Sequence, residues 1–143
     1  MKYLGLDLGT RTLGIAISDA THLVATPVKV LRFEDSMYED TIAPLKEIID
    51  SEKISKIILG LPKNMNNTIG DRANTTLEYK KMLESIFNLP VIMQDERLST
   101  VAAHNYMLEA DLSRKKRKAK VDGLAASIIL QTYLDIERGK NNE

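Results

Sequence analysis

The sequence predicts an α/β layered domain built on a mixed five-stranded sheet. Three observations lead there. The first 33 residues hold apolar, β-branched runs joined by links too short for a parallel crossover. From residue 42 onward the apolar spacing switches to the helical period and then alternates with strand-like runs. The run KIILGLP, residues 56–62, is continuously apolar, as expected of a parallel strand covered on both faces.

The elements follow in order. Lys2–Leu8 reads as the first strand, and Gly9-Thr10-Arg11-Thr12 as a turn. Leu13–Ser18 alternates and forms the second strand, antiparallel to the first. Val24–Phe33 is the third; Pro27 gives it an edge position, where a missing backbone donor costs little. Ile42, Leu45, Ile48 and Ile49 mark a helix, with Pro44 in its first turn. Residues 56–62 follow as the fourth strand. Leu77, Leu83 and Ile86 mark a second helix of about five turns. Residues 89–99, LPVIMQDERLS, form a fifth strand that ends in charge. Ser99 or Thr100 caps a third helix running to about Ala110. A last helix starts near Val121, with Val121, Leu124, Ala125, Ile128 and Thr132 on one face. In such sheets ligands gather at the carboxyl ends of strands.

The chain has 143 residues, a usual length for one domain, and neither an internal repeat nor a linker divides it. A single domain over 1–143 is therefore expected. Acidic and basic residues balance at 20 each, which leaves nucleic acid open as a partner because local field matters more than the total. The absence of cysteine excludes disulfides and thiolate metal sites. No apolar run approaches the roughly 20 residues that span a bilayer, and the N-terminus has no signal-peptide layout. A cytoplasmic protein without a membrane partner is expected.

Asp7 interrupts the apolar run of the first strand. A buried carboxylate needs a partner, either the backbone of the turn at Gly9–Arg11 or a cation. Asp95-Glu96-Arg97 closes the fifth strand. Adjacent strand residues point to opposite faces, so only one of the two acids faces a common site. Glu96 has the longer reach and is preferred, with Asp95 the alternative. Asp122 stands at the start of the last helix, where an acid also favours the positive end of the helix dipole. Three carboxylates with few histidines suit a hard ion such as Mg2+, which takes oxygen ligands and keeps several waters. Two such ions can activate water and stabilise the leaving oxygen in phosphodiester cleavage. Arg114, Lys115, Lys116, Arg117, Lys118 and Lys120 place six bases in seven positions. Phosphate of nucleic acid is their natural partner. Arg11 and Lys63, near other strand ends, add phosphate contacts. His22 and His104 are isolated and read as ordinary surface or core residues.

Four ordered blocks, LGLDLGTRTLGIAISD, IILGLPKNMNNTIGDRA, DERLST and RKKRKAKVDGLAASIILQTYL, resemble the YqgF/RuvX family over nearly the whole chain. The resemblance implies a ribonuclease-H-like fold, related to Holliday-junction resolvases. It implies a metal-dependent nuclease that processes the 5′ end of pre-16S ribosomal RNA, with Asp7, Glu96 and Asp122 as the catalytic and metal-binding acids and Mg2+ or Mn2+ as cofactor. Pre-ribosomal RNA is then favoured over branched DNA as partner, with the chain a monomer or a homodimer. Two departures stand out. Other members of the wider fold often take the second acid from the strand beside the first, but here that strand ends in Gly60-Leu61-Pro62. Lysine is frequent in the family at position 123, where glycine should loosen the helix start slightly.

Three other readings stand beside this one. The fold and basic run also suit a Holliday-junction nuclease acting on DNA. A non-catalytic RNA-binding assembly factor would keep the basic run and need no metal. LDLGT also resembles the phosphate loop of the actin and sugar-kinase superfamily, but that architecture needs two such domains.

Overall fold

The structure is a computed structural model that describes residues 1–9, 11–35, 37–61, 71–95 and 123–141. The strands are β1 (Lys2–Leu8), β2 (Thr12–Ser18), β3 (Ala25–Arg32), β4 (Ile54–Leu61) and β5 (Val91–Asp95). The α-helices are α1 (Ile42–Glu52), α2 (Asp71–Phe87) and α3 (Leu124–Asn141), with a short 3-10 turn at Tyr38–Thr41 leading into α1. The sheet order is β3-β2-β1-β4-β5. β1 pairs antiparallel with β2, and β2 with β3. β4 lies parallel to β1 and β5 parallel to β4. The expected mixed sheet is therefore present.

Pro27 is on the edge strand, as its chemistry demands, and the β2–β3 register shifts beside it, between Ile15 and Ala16. Strand alternation divides the side chains between two cores. Leu4, Leu6 and Leu8 of β1 pack with Leu45 and Ile49 of α1 and Tyr79 and Leu83 of α2. On the opposite face Tyr3, Ala16 and Ile58 pack with Ala126, Ile129, Leu130 and Leu134 of α3. β1 and β4 are covered on both sides, which explains their continuous apolar sequence.

Helix phase is where the structure corrects the sequence. Of the face expected for the last helix, Val121 lies outside the described residues, Ile128 is buried as expected, Leu124 and Thr132 are half-buried and Ala125 is exposed; the stripe packed on the sheet is Ala126, Ile129, Leu130 and Leu134. The stretch AASIIL is apolar on every side, so spacing alone leaves its phase open. In α2, Leu83 is buried as expected, but Ile86 is 50 % exposed. Ala73, Thr76 and Tyr79 complete the buried stripe, with Tyr79 hydroxyl 2.7 Å from Thr41 Oγ1. Burial pushes the Tyr79 phenol far up, so it stays protonated and available to that bond. The helix expected from Ser99 or Thr100 to Ala110 lies outside the described residues, as do positions 96–99 of the fifth run.

The β2–β3 turn is organised by Asp19. Its carboxylate accepts from Leu23 N at 2.8 Å and Val24 N at 3.0 Å, and from the Thr21 hydroxyl. These bonds, the Thr21 one foremost, hold its pKa well below the ordinary carboxylate range. A depressed pKa adds stability above the unfolded-state value, and that stability is lost as pH falls through the folded one. Wild type should therefore be more stable than Asp19→Ala at neutral pH. The gap should close in acid, below the normal aspartate pKa, which paired thermal melts across pH would measure.

Candidate functional site

Asp7 is the penultimate residue of the central strand and is half-buried. It stands opposite Gly14 of β2. Because Leu6 and Leu8 point into the α1–α2 core, Asp7 projects to the α3 face. A Cβ at Gly14 would lie 3.6 Å from both Asp7 Cβ and Ala126 Cβ, so the first turn of α3 comes up to the Asp7 pair. No described backbone group of the turn bonds to this carboxylate. Gly9 N donates to Thr12 O at 2.7 Å, and Arg11 O accepts from Phe33 N at 2.9 Å. Among the described residues Asp7 has no hydrogen-bond or ion-pair partner; Thr10, in the middle of the expected capping turn, lies outside them. A half-buried carboxylate of this kind is available to a ligand.

The neighbours of Asp7 across the sheet are small. Leu6 pairs with Leu59 of β4, and continuing that register by one residue brings Gly60 beside Asp7. Gly60 in turn pairs with Gln94 of β5. Ile92 belongs to the α3-side core and Val91 to the other, so Gln94 shares the face of Asp7. The row at the carboxyl end of the sheet on this face is thus Gly14, Asp7, Gly60, Gln94. A lone carboxylate is flanked by glycines, with a buried amide beyond. Gly14 and Gln94 escaped the sequence reading, which took Gly60 only as part of a strand end without an acid. Parity within VIMQ was the signal that could have found Gln94, but the charges that follow it drew the attention.

α3 is fixed at both ends. At its start the Gly123 carbonyl accepts from Ser127 N at 3.0 Å, which makes Gly123 the residue that opens the helix. Its φ is +82°, reached by glycine without strain. A Cβ there would meet Ile15 O at 3.2 Å and Pro27 Cβ at 3.3 Å. The helix start is therefore seated closely on β2 and β3, and the loosening expected of glycine is offset by this approach. Asp122 is the residue immediately before that seat. Further along, Gln131 accepts from Ala25 N at 2.8 Å and donates to Leu23 O at 3.0 Å. Near the far end Lys56 Nζ lies 3.0 Å from Tyr133 hydroxyl and 3.4 Å from Glu137. Burial opposes the charge of Lys56, but the Tyr133 bond and the carboxylate of Glu137 outweigh it and hold its pKa up. His22 stacks on Tyr3 with ring centroids 4.0 Å apart, the structural role expected of it.

Arg11 is exposed in the β1–β2 turn, one residue before β2. Lys63, Glu96, Asp122, His104 and the basic residues Arg114, Lys115, Lys116, Arg117, Lys118 and Lys120 lie outside the described residues. Asp95 ends β5. Among the described residues no three acids or histidines converge, and no helix is long and apolar enough to cross a membrane.

A family model described as "RuvX: Holliday junction resolvase" matches residues 1–136. Relatives from Geobacillus sp. (strain WCH70) and Oceanobacillus iheyensis are 49% and 47% identical over 135 residues, covering 94% of this chain and 98% of each relative. Both carry the name "Putative pre-16S rRNA nuclease". Among solved structures, RuvC of T. thermophilus in complex with a Holliday junction substrate superposes with a TM-score of 0.65 at 15% identity. That match covers 97% of this chain and 96% of RuvC, and it establishes the fold as the resolvase-like, ribonuclease-H-like one.

Proposed function

Because this chain belongs to the RuvX family, we propose that it is a divalent-metal-dependent endonuclease, a phosphodiester-cleaving hydrolase that processes the 5′ end of pre-16S ribosomal RNA. One observation carries the reading: a carboxylate, Asp7, without a partner among the described residues, at the carboxyl end of the central strand and on the face where α3 begins. Strand ends of this kind are where α/β sheets collect their ligands.

Asp7, Glu96 and Asp122 are the residues that would hold the metal. Their donor set is all oxygen, the set that magnesium and manganese prefer. When bound, a pair of such ions supplies charge neutralisation at the phosphate and a more acidic attacking water. The alternation of β5 favours Glu96 over Asp95. Ile92 and Gln94 share the face of Asp7, which supports the choice of Glu96, two residues beyond Gln94 in the sequence, over Asp95. Gly60, without a side chain, leaves the second acid to come from β5 instead of β4.

Arg11, Lys63 and the basic run 114–120 would hold the phosphate backbone. Single-stranded RNA binding should then weaken with salt, with a log–log slope of about −4 if six phosphates are engaged. This corresponds to a loss on the order of 100-fold between 50 and 200 mM salt. Alanine at the six basic positions should flatten that slope, as fluorescence anisotropy would record. The whole of 1–143 would act as one domain, as a monomer or homodimer in the cytoplasm, where ribosomal precursors are processed.

The test is a cleavage assay in magnesium and in manganese, with labelled pre-16S RNA beside a four-way DNA junction. Metal-dependent cutting of the RNA supports the reading. Cutting of the junction alone moves the activity to DNA. Salt-sensitive binding without cleavage leaves an RNA-binding assembly factor.

A further inference from the structure

Gln94 has no role in the reading so far. It is 7 % exposed, and its side-chain amide has no hydrogen-bond partner among the described residues. A buried amide normally finds partners, and leaving one without is costly. Nothing in the packing of β5 calls for it. Met93, before it, and Ile92, on its own face, are apolar, and either leucine or methionine would fill the same length. Its place in the sheet is specific. Gln94 pairs with Gly60, and Gly60 continues the register to Asp7, all on the α3 face. Two strand spacings, about 10 Å, separate the backbones of Asp7 and Gln94. The residue between them has no side chain. That gap, floored by glycine, has a carboxylate on one side and an amide on the other.

We infer that Gln94 is a substrate-positioning residue, whose amide N–H donates to a phosphate oxygen of the nucleic-acid strand held at Asp7. This rests on the nucleic-acid reading of the site, and it adds a neutral contact that the acids and the basic run do not supply. An amide can hold a phosphate oxygen beside carboxylates without shifting their charge. In a nearly dry position such a bond to an anion is strong.

The assignment separates two consequences that usually travel together. Gln94→Leu removes a buried amide that has no partner among the described residues, so it should raise Tm by a few degrees. The same change should weaken binding of a short labelled RNA, measured in calcium, and slow its cleavage in magnesium, each about 10- to 100-fold. Gln94→Met provides a second apolar variant should leucine pack poorly. A stabilised variant that binds and cuts like wild type would overturn the proposal and leave Gln94 a structural residue. If wild type itself cuts nothing, the nuclease reading fails on its own. The RNA affinity ratio of wild type to Gln94→Leu then still decides the assignment.

Discussion

Asp7→Asn should abolish cleavage, by on the order of 10³-fold or more, while the protein stays folded. The substitution is isosteric. It removes a negative charge from a half-buried position where the carboxylate has no partner among the described residues. No hydrogen bond of the sheet is lost, because the ladder to Gly14 uses the backbone. Stability should therefore lie within about 0.5 kcal/mol of wild type, or above it. A structural carboxylate behaves in the opposite way: removing its charge costs stability and leaves the chemistry alone. The two measurements, a metal-dependent cleavage assay and a thermal melt, thus separate the two roles. Glu96→Gln should behave like Asp7→Asn, whereas Asp95→Asn should keep most of the activity. Full activity in Asp7→Asn would remove Asp7 from the site.

What could be read in advance, and what could not, follows from how each signal arises. Pro27 has one physical consequence in a sheet, so the edge strand was legible from a single residue. Asp7 was legible because a charge inside an apolar run violates the pattern around it. The phase of α3 was not, since a helix with Ala126, Ile128, Ile129 and Leu130 in sequence offers several apolar faces, and only the shape of the sheet selects one. Gly5 supplies that shape, yet a glycine in a strand carries no sign of what approaches it. The same holds for Gly60 and Gln94. Their meaning comes from pairing across three strands, which sequence order conceals. The basic run of residues 114–120 was visible as composition alone, and its chemistry rests on charge.

The seating of α3 gives the second large effect. Gly5 lies under the helix, and a Cβ there would stand 2.7 Å from Leu130 Cβ and 3.0 Å from Ala126 O. Neither atom is the free end of a flexible side chain, so the helix must move away from the sheet. Gly5→Ala should cost about 2 kcal/mol, at the level of other overpacked cores, and lower Tm by roughly 8 °C in a chain of this size. Gly139→Ala, in α3 itself, makes the contrast. A Cβ at Gly139 meets nothing within 4 Å, and alanine there should stabilise by up to about 1 kcal/mol. The consequence reaches the site. Ala126 is the residue that approaches Gly14, the partner of Asp7, and Gly123, three positions earlier, seats the helix start on β2 and β3. Lifting α3 at Gly5 displaces this end of the helix. Gly5→Ala should therefore cleave more slowly than wild type even at temperatures where both are fully folded, while Gly139→Ala cleaves normally. Equal rates in the folded range would show that the site tolerates a shift of α3, and that the close approach at Gly5 serves stability alone.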